Sequence, residues 1–281
     1  MYCDLHTHSN FSDGTFTTAE LIAEAKKAGL SAIALTDHNT VAGIPSFLDE
    51  AKKQGVTAIA GTELSTAYAG RELHLLGLFI PPEAYGSIEE TTAKYHALKE
   101  ESNRQLIQRL NAAGYHISYE DVKKRTKSGN VNRAHVAAEL VEKGLVPSIK
   151  AAFEHLLRQN GEFYTPPKRL DVFEAIAFLQ EAGALPVLAH PFLELNQQEL
   201  RDFLPKAIKQ GLIGMEIRHS AFDETQSALA ETIAKEFSLL PSGGSDFHGG
   251  NKPHVTLGKV TGNQQIPIDF YKNLLKRKAC R

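Results

Sequence analysis

The chain has 281 residues, with 31 Lys or Arg against 33 Asp or Glu, and 42% of it is hydrophobic. This composition predicts a soluble globular protein of one large domain or two small ones, and its net charge of -2 excludes recruitment of nucleic acid by a global positive field. We recognise neither a signal sequence nor a transmembrane run, and the two cysteines, Cys3 and Cys280, favour free thiols over a disulfide. We therefore expect a cytoplasmic protein that makes no membrane contact.

The first predicted element is a strand over residues 4–8. Side chains alternate along a strand, so Asp4, His6 and His8 are expected on one face. Packing has little use for two imidazoles on one face beside a carboxylate, whereas a divalent metal ion binds these groups directly. The strand therefore predicts a metal site, to which later elements add ligands.

Helices and strands alternate in the segment that follows. The predicted strands here cover residues 31–35, 56–60 and 72–80, and the predicted helices cover 19–28 and 41–54. The first helix begins at a capping box formed by Thr17 and Glu20. Four polar residues follow or lie on the strands, namely Asp37, His38, Glu63 and His74.

The alternation stops in the middle of the chain. Only helices are predicted there, over residues 87–113, 133–144 and 148–159. A run of helices without strands indicates an inserted helical subdomain, which we place at 84–164. The flanking segments, 1–83 and 165–281, are then expected to form one barrel domain.

The alternation resumes after residue 165. Predicted helices cover 170–182, 197–210 and 223–236, and predicted strands cover 184–189, 212–217 and 238–241. These strands lead into His190, into His219, and into Asp246 and His248. Repeated βα units with polar residues at the carboxyl ends of the strands are typical of a (β/α) barrel. We count about seven such strands, one fewer than a regular eight-stranded barrel.

Ten polar side chains are expected at the mouth of this barrel: His6, His8, Asp13, Asp37, His38, Glu63, His74, His190, Asp246 and His248. One metal ion takes three or four protein ligands, so this set suits two or three ions. Imidazole mixed with carboxylate, without thiolate, favours Mn, Fe or Zn over Mg or Ca. The positive charge of three such divalent ions would exceed the negative charge of Asp13, Glu63 and Asp246. The site would therefore attract a phosphate dianion.

Five motifs carry a resemblance to a known family. They are Asp-Leu-His-Thr-His-Ser with Ser-Asp-Gly at 4–14, Thr-Asp-His at 36–38, Gly-Thr-Glu at 61–63, Ala-His-Pro at 189–191 and Gly-Ser-Asp-Phe-His at 244–248. In this order they resemble the PHP (polymerase and histidinol phosphatase) family. Asn-Arg-Ala-His-Val-Ala at 132–137 and Tyr-Thr-Pro-Pro at 164–167 are similar to one branch. That branch comprises nucleoside 3′,5′-bisphosphate phosphatases and the 5′-to-3′ exoribonuclease RNase AM.

The resemblance implies a distorted (β/α)₇ barrel, with the helical insertion covering the active site, and a trinuclear metal centre. The implied ligands are His6, His8, Glu63 and Asp246 for the first ion, Glu63, His74 and His190 for the second, and Asp13, His38 and His248 for the third. It also implies that Arg133 and His135 contact the substrate phosphate and that His219 lies near the same pocket. Asp4 is left without a ligand role, as support for the site.

The implied reaction removes the 3′-phosphate of nucleoside 3′,5′-bisphosphates, through a hydroxide that bridges metal ions. Short 5′-phosphorylated oligoribonucleotides are a further expected substrate. Asp37 would orient a ligand histidine or handle a proton, and either His135 or His219 would protonate the leaving oxygen. The expected partner is thus a phosphorylated small molecule or a short RNA 5′ end, without a stable nucleic-acid complex.

Other interpretations remain open at this point. Among enzymes the alternative is a histidinol-phosphate phosphatase, and outside enzymes it is a non-catalytic PHP accessory module. Arg133 could instead be an ordinary solvated helix charge. Gly243 and Gly244 could cradle a phosphate, although a tight turn that aims Asp246 is the favoured interpretation.

Overall fold

The computed structural model describes residues 1–126, 131–158 and 161–280. They form two compact units, one made of Met1–Glu90 with Leu170–Arg281 and the other of Thr91–Arg169. The predicted insertion at 84–164 overlaps most of the second unit, and its role as a cover of the active site stays a prediction. Among the described residues, no helix combines the length and the apolar character needed to cross a membrane.

The first unit is built on one sheet. Its strands are β1 (Tyr2–Asp4), β2 (Leu30–Leu35), β3 (Thr57–Tyr68), β4 (Arg71–Leu78), β5 (Leu170–Asp171), β6 (Leu185–Leu188), β7 (Gly214–His219), β8 (Leu240–Gly244) and β9 (Ile266–Pro267). They are ordered β8-β7-β6-β4-β3-β2-β1-β9, with β5 beside β3. The backbone N–H of Leu5 donates to the carbonyl of Gly243, and Thr7 pairs in parallel with Phe247. These contacts join the residues after β1 to β8, so the sheet is the predicted distorted barrel.

Ten helices accompany the strands in the described part of the chain. They are α1 (Thr18–Lys27), α2 (Ile44–Gln54), α3 (Tyr85–Ala112), α4 (Tyr119–Lys124), α5 (Arg133–Glu142), α6 (Ile149–His155), α7 (Val172–Glu181), α8 (Gln197–Lys209), α9 (Glu224–Glu236) and α10 (Ile268–Ala279). The predicted capping box of Thr17 and Glu20 starts α1. The last helix predicted in the insertion, at 148–159, ends at Gln159, which lies outside the described residues.

Strand β4 departs from the predicted alternation of strands and helices. It runs antiparallel to both β3 and β6, whereas regular βα units would make it parallel. Only Ala69 and Gly70 separate β3 from β4, and both have a positive φ. Two residues allow a tight hairpin but not a crossover helix, so the chain must reverse direction here. As a result, Glu63 and His74 lie within paired strands and not at strand ends.

Short elements near the end of the chain were absent from the prediction. Strand β9 has two residues, one of them a proline, and therefore shows no alternation that sequence reasoning could detect. The apolar cluster inside the sheet includes Cys3, Leu5, Leu76 and Val187 together with Ile266 of β9.

Both cysteines are free, and burial raises the pKa of the Cys3 thiol to about 12.

The second unit has a separate apolar core. Its buried members include Leu106 and Leu110 of α3, Val136 and Leu140 of α5, and Leu157. Helix α5 begins at Asn132, whose side chain accepts from the backbone N–H of His135. The start of α5 is therefore fixed by local hydrogen bonds that involve the 132–137 motif.

Candidate metal centre

Strands and loops of the first unit bring the predicted ligands together. Ligand atoms lie within 4.8 Å of one another in four groups: His6, His8, Glu63 and Asp246; His8, Asp13, His38 and His248; His38, Glu63 and His74; and His6, Glu216 and His219. The first group is the ligand set expected for the first ion. The second contains the set expected for the third ion, with His8 in addition. Their assignment as ligands stays a prediction.

Glu63 belongs to two of these groups and is fully buried. Its Oε1 is 2.8 Å from Nδ1 of His74 and 2.9 Å from Nε2 of His190. Its Oε2 is 3.0 Å from Nδ1 of His38 and 3.1 Å from Nε2 of His6. The two carboxylate oxygens thus face different histidines. This is the arrangement required of a carboxylate that bridges two metal ions.

The charge of Glu63 follows from its neighbours. Burial alone raises the pKa of this carboxyl, but His38, His6 and His74 together hold the pKa well below its usual value. For the basic ring of His74 burial acts in the opposite direction and lowers the pKa. The carboxylates of Glu63 and Glu72 outweigh burial and raise this pKa to about 10. The histidines around it therefore stabilise the carboxylate anion of Glu63.

Asp246 divides its two oxygens between different partners. Its Oδ1 lies 3.2 Å from Nε2 of His8 and 3.6 Å from Nε2 of His6. Its Oδ2 accepts a hydrogen bond from Nζ of Lys252 and lies 3.5 Å from Nε2 of His219. Asp246 has a φ of 56°, which is uncommon for a residue with a side chain. The backbone turns here so that one oxygen points at His6 and His8.

Gly244 allows this turn to approach His6, which lies beyond the end of β1 and not within a strand over 4–8 as predicted. A Cβ at this position would lie 2.6 Å from the backbone nitrogen of His6, closer than real Cβ atoms come. A Cβ at Gly243 would lie 2.8 Å from the backbone carbonyl oxygen of Arg218. The two glycines thus permit close strand packing that aims Asp246, as the favoured interpretation of the sequence holds.

Asp13 lies on the open side of the cluster, with half of its side chain exposed. Its Oδ1 is 3.1 Å from Nε2 of His248, and its Oδ2 is 3.8 Å from Nε2 of His38. Nδ1 of His248 is 2.8 Å from the backbone carbonyl of Asp246, which can only accept. The ring proton of His248 therefore lies on Nδ1, and Nε2 is free to bind a metal ion.

Several buried polar atoms of the cluster lack a hydrogen-bond partner among the described residues. They include Nε2 of His6, both ring nitrogens of His8, Nδ1 of His38 and Oε2 of Glu63. Nε2 of His6, Nε2 of His8 and Nδ1 of His38 each lie 3.0 to 3.3 Å from Oε2 of Glu63 without hydrogen-bond geometry. Unpartnered buried polar atoms are costly unless something binds them. Their imidazole and carboxylate chemistry fits divalent metal ions.

Asp37 has different partners from those expected. Its Oδ1 accepts hydrogen bonds from the backbone N–H of Ser9 and the hydroxyl of Ser12, and its Oδ2 accepts from the hydroxyl of Ser9. Among the described residues no histidine binds its carboxylate in this way. Asp37 thus holds the loop between His8 and Asp13 in place. The sequence predicted that it either orients a ligand histidine or handles a proton; the first contact is not seen, and the second role stays a prediction.

His219 is buried beside Asp246. Its Nδ1 accepts a hydrogen bond from the backbone N–H of Ala221 at 3.1 Å. The proton of the neutral ring must then lie on Nε2, which faces Oδ2 of Asp246. His219 consequently presents an N–H to its surroundings, so the group of His6, Glu216 and His219 is unsuited to holding an ion.

Arg133 and His135 both belong to the second unit. Nη1 of Arg133 donates to the carbonyl of Leu157 at 2.8 Å, and the guanidinium lies 4.5 Å from the centre of the Tyr164 ring. Nδ1 of His135 accepts from the backbone N–H of Asn132. Burial lowers the pKa of His135, and the cations Lys99 and Arg125 lower it further. Their expected contacts to a substrate phosphate stay predictions.

Asp4 supports the cluster from behind, as expected. Its carboxylate accepts hydrogen bonds from the backbone N–H groups of Ser245 and Gly258, and from the hydroxyl of Ser245. The backbone N–H of His6 also donates to it, at 3.3 Å. Asp4 therefore ties β1 to the loop that carries Asp246.

Sequence reasoning missed Glu216 and Lys252. Glu216 is fully buried in β7, and its carboxylate contacts Nδ1 of His6 and the backbone N–H of His190. Glu216 is the one charged residue of the predicted strand at 212–217. A glutamate is rarely buried without partners, so its position in this apolar strand could have identified it as a functional residue. Lys252 lies in a loop and gives no comparable signal.

The sequence matches known proteins over most of its length. The PHP domain family matches residues 4–160. A 5′-3′ exoribonuclease of Haemophilus influenzae is 33% identical over 87% of this chain and 89% of that protein. A phosphoribosyl 1,2-cyclic phosphate 1,2-diphosphodiesterase of Eggerthella lenta is 31% identical over 90% of this chain and 97% of that protein. A 3′,5′-nucleoside bisphosphate phosphatase of Chromobacterium violaceum is 29% identical over 87% of this chain and 86% of that protein.

A solved structure gives the same result. A Bifidobacterium adolescentis protein, assigned as a metal-dependent phosphoesterase, superimposes with a TM-score of 0.73 at 29% identity. The match covers 98% of this chain and 96% of the other. Both the sequence relatives and this structure extend over the two segments that form the barrel. The chain therefore belongs to the PHP family of metal-dependent phosphoesterases.

Proposed function

We propose that the chain removes the 3′-phosphate of nucleoside 3′,5′-bisphosphates and also acts on short 5′-phosphorylated oligoribonucleotides. The observation that carries this proposal is Glu63, whose two oxygens face different sets of histidines. The relatives named as a 3′,5′-nucleoside bisphosphate phosphatase and a 5′-3′ exoribonuclease support the substrate class. The motif at 132–137, which resembles that branch, supports it further.

The proposed cofactors are two or three divalent ions of Mn, Fe or Zn. They would be held by His6, His8, Glu63 and Asp246, by Glu63, His74 and His190, and by Asp13, His38 and His248. Bound ions of this kind polarise phosphoryl oxygens and lower the pKa of a coordinated water from about 15.7 to near 7. No side-chain base is then needed to generate the nucleophile at neutral pH.

Residues of the chain would bind and orient the substrate around this centre. The exposed face of Asp13 and the partly exposed ring of His38 mark the side from which a phosphate would enter. The N–H on Nε2 of His219 is suited to donate a hydrogen bond to an oxygen of the substrate. We assign Arg133 and His135 to phosphate binding, since a guanidinium gives paired contacts to phosphoryl oxygens.

Substrate comparison tests the proposal. Purified protein of measured metal content would be incubated with adenosine 3′,5′-bisphosphate, a 5′-phosphorylated short RNA, histidinol phosphate and phosphoribosyl 1,2-cyclic phosphate. We expect the highest kcat/KM for the bisphosphate, with phosphate released from the 3′ position, and shortening of the RNA from its 5′ end. A clear preference for histidinol phosphate or for the cyclic phosphate would overturn this choice of substrate.

The same assay addresses the non-catalytic alternative. The predicted ligands of the cluster are all present, which supports an active enzyme over a degenerate accessory module. Full metal content without turnover of any phosphoester would contradict the proposal. We also propose a cytoplasmic location, which the two free thiols support.

A further inference from the structure

Glu216 is a buried glutamate that no part of the proposed reaction uses. It lies in the middle of β7, and its side chain is inaccessible to solvent. Its Oε1 is 3.1 Å from Nδ1 of His6, and its Oε2 accepts a hydrogen bond of 2.7 Å from the backbone N–H of His190. One carboxylate therefore touches two residues whose rings both reach Glu63.

The contact to His6 decides which ring nitrogen can bind a metal ion. A carboxylate beside imidazole accepts a hydrogen bond, so Nδ1 of His6 carries the proton. In the neutral ring, the form in which histidine binds metal ions, Nε2 then keeps its lone pair. Nε2 lies 3.1 Å from Oε2 of Glu63 and 3.6 Å from Oδ1 of Asp246. Nε2 is also a buried atom without a hydrogen-bond partner in the described part of the chain. Glu216 thus aims the lone pair of His6 into the cluster.

The contact to His190 acts on the backbone. His190 has a φ of 25° and a ψ of 57°, a left-handed conformation that is unfavourable for a residue with a side chain. Its N–H points at Glu216, and its ring nitrogen Nε2 lies 2.9 Å from Oε1 of Glu63. A hydrogen bond from a buried amide to a carboxylate stabilises this conformation against relaxation. The position of the His190 ring therefore depends on Glu216.

We propose that Glu216 is a positioning residue that prepares His6 and His190 together for binding divalent metal ions, an inference that rests on the proposed metal centre. Both partners of Glu216 are donors, so the residue must supply two acceptors. Glutamine supplies one acceptor and one amide donor, and it leaves either His6 or His190 facing a donor. If the amide faces His6, the ring proton moves to Nε2, which then cannot bind a metal ion.

Metal binding by Glu216→Gln tests the proposal directly. We expect Zn²⁺ or Mn²⁺ affinity, measured by titration calorimetry with metal analysis of the dialysed protein, to fall about 10- to 100-fold. Glu139→Gln is the matched control, because Glu139 is also a buried carboxylate with two side-chain partners, Arg125 and Lys143, in the second unit. That variant should keep the metal affinity. A Glu216→Gln protein that binds metal as tightly as the wild type would overturn the proposal.

A second measurement needs no variant. In Zn²⁺-loaded wild-type protein, ¹⁵N spectra of the histidine rings report which nitrogen of His6 carries the metal and which carries the proton. We expect Zn²⁺ on Nε2 and a proton on Nδ1, and Zn²⁺ on Nδ1 would refute the inference even if the variant failed to fold. Substrate preference is read separately, so an error in the proposed substrate would leave these outcomes unchanged.

Discussion

Glu63 and Glu216 are both buried carboxylates, yet they serve the cluster in different ways. Glu63 faces ring nitrogens from inside the cluster, whereas Glu216 holds N–H groups from outside it. The sequence identifies Glu63, since it follows an apolar strand in a Gly-Thr-Glu motif. It does not identify Glu216, because the partners of a buried side chain depend on strand register that residue patterns do not specify.

Replacing Glu63 tests its bridging role. We expect Glu63→Gln to lose two ions together, because the amide nitrogen cannot act as the second oxygen ligand. Metal analysis after dialysis measures the loss. Glu50→Gln, a change on the surface of α2, is the control and should keep every ion. Retention of all ions by Glu63→Gln would show that the bridging assignment is wrong.

Arg133 tests the contribution of the second unit to substrate binding. Arg133→Ala should raise KM about 10- to 100-fold, the effect of losing a charged hydrogen bond worth about 1.5 to 3 kcal/mol. Metal content should not change. Arg104→Ala removes another guanidinium that lies over a tyrosine ring of this unit, and it should leave KM unaltered. An unchanged KM in Arg133→Ala would remove this residue from the binding site.

At the level of elements, regular alternation predicted most strands and helices of the barrel. The direction of β4 was not predictable from periodicity, since a strand looks alike in either direction. The short connection at Ala69 and Gly70 was the available signal, because a parallel crossover needs about ten or more residues. The short strands β5 and β9 lie below the length at which periodicity is visible.

The packing of β8 against the segment after β1 gives a prediction for Gly244. A methyl group there would meet the Cβ and backbone of His6. We expect Gly244→Ala to cost about 1 to 3 kcal/mol of unfolding free energy and to weaken metal binding, as measured by denaturation and titration. Gly86→Ala is the control, since a Cβ at Gly86 of α3 meets no atom within 4 Å. Equal stability of the two variants would contradict this account of the contact.

Considered as a whole, the molecule is nearly neutral but concentrates its titratable groups. Seven of the twelve histidines lie on or just after strands of one unit, and all but His219 belong to the proposed ligand set. The overall charge of -2 therefore does not indicate that the histidines and carboxylates of this cluster are suited to binding metal cations. Composition could bound the class of protein, whereas the metal site was predicted from the polar residues at the ends of the strands and from the order of the motifs.

Removal of metal should destabilise the folded protein. A ligand that binds only the native state at about one hundred times its Kd adds about 2.7 kcal/mol. We therefore expect a chelator to lower the Tm by several degrees, and added Mn²⁺ or Zn²⁺ to restore it. Differential scanning calorimetry measures the shift. A Tm that is insensitive to chelation, in protein shown to have lost its metal, would contradict the prediction.

The hydrogen bonds of Asp4 also bear on how the protein folds. They join residues 241 and 254 positions apart in the sequence, through Ser245 and Gly258. Contacts of such long range close large loops and form late in folding. During synthesis His6 and His8 emerge early, but the segment that carries Asp246 and His248 must follow before the site can assemble. A partly synthesised chain therefore lacks two of the proposed metal ligands, and we expect hydrolytic activity to begin only after the barrel has closed.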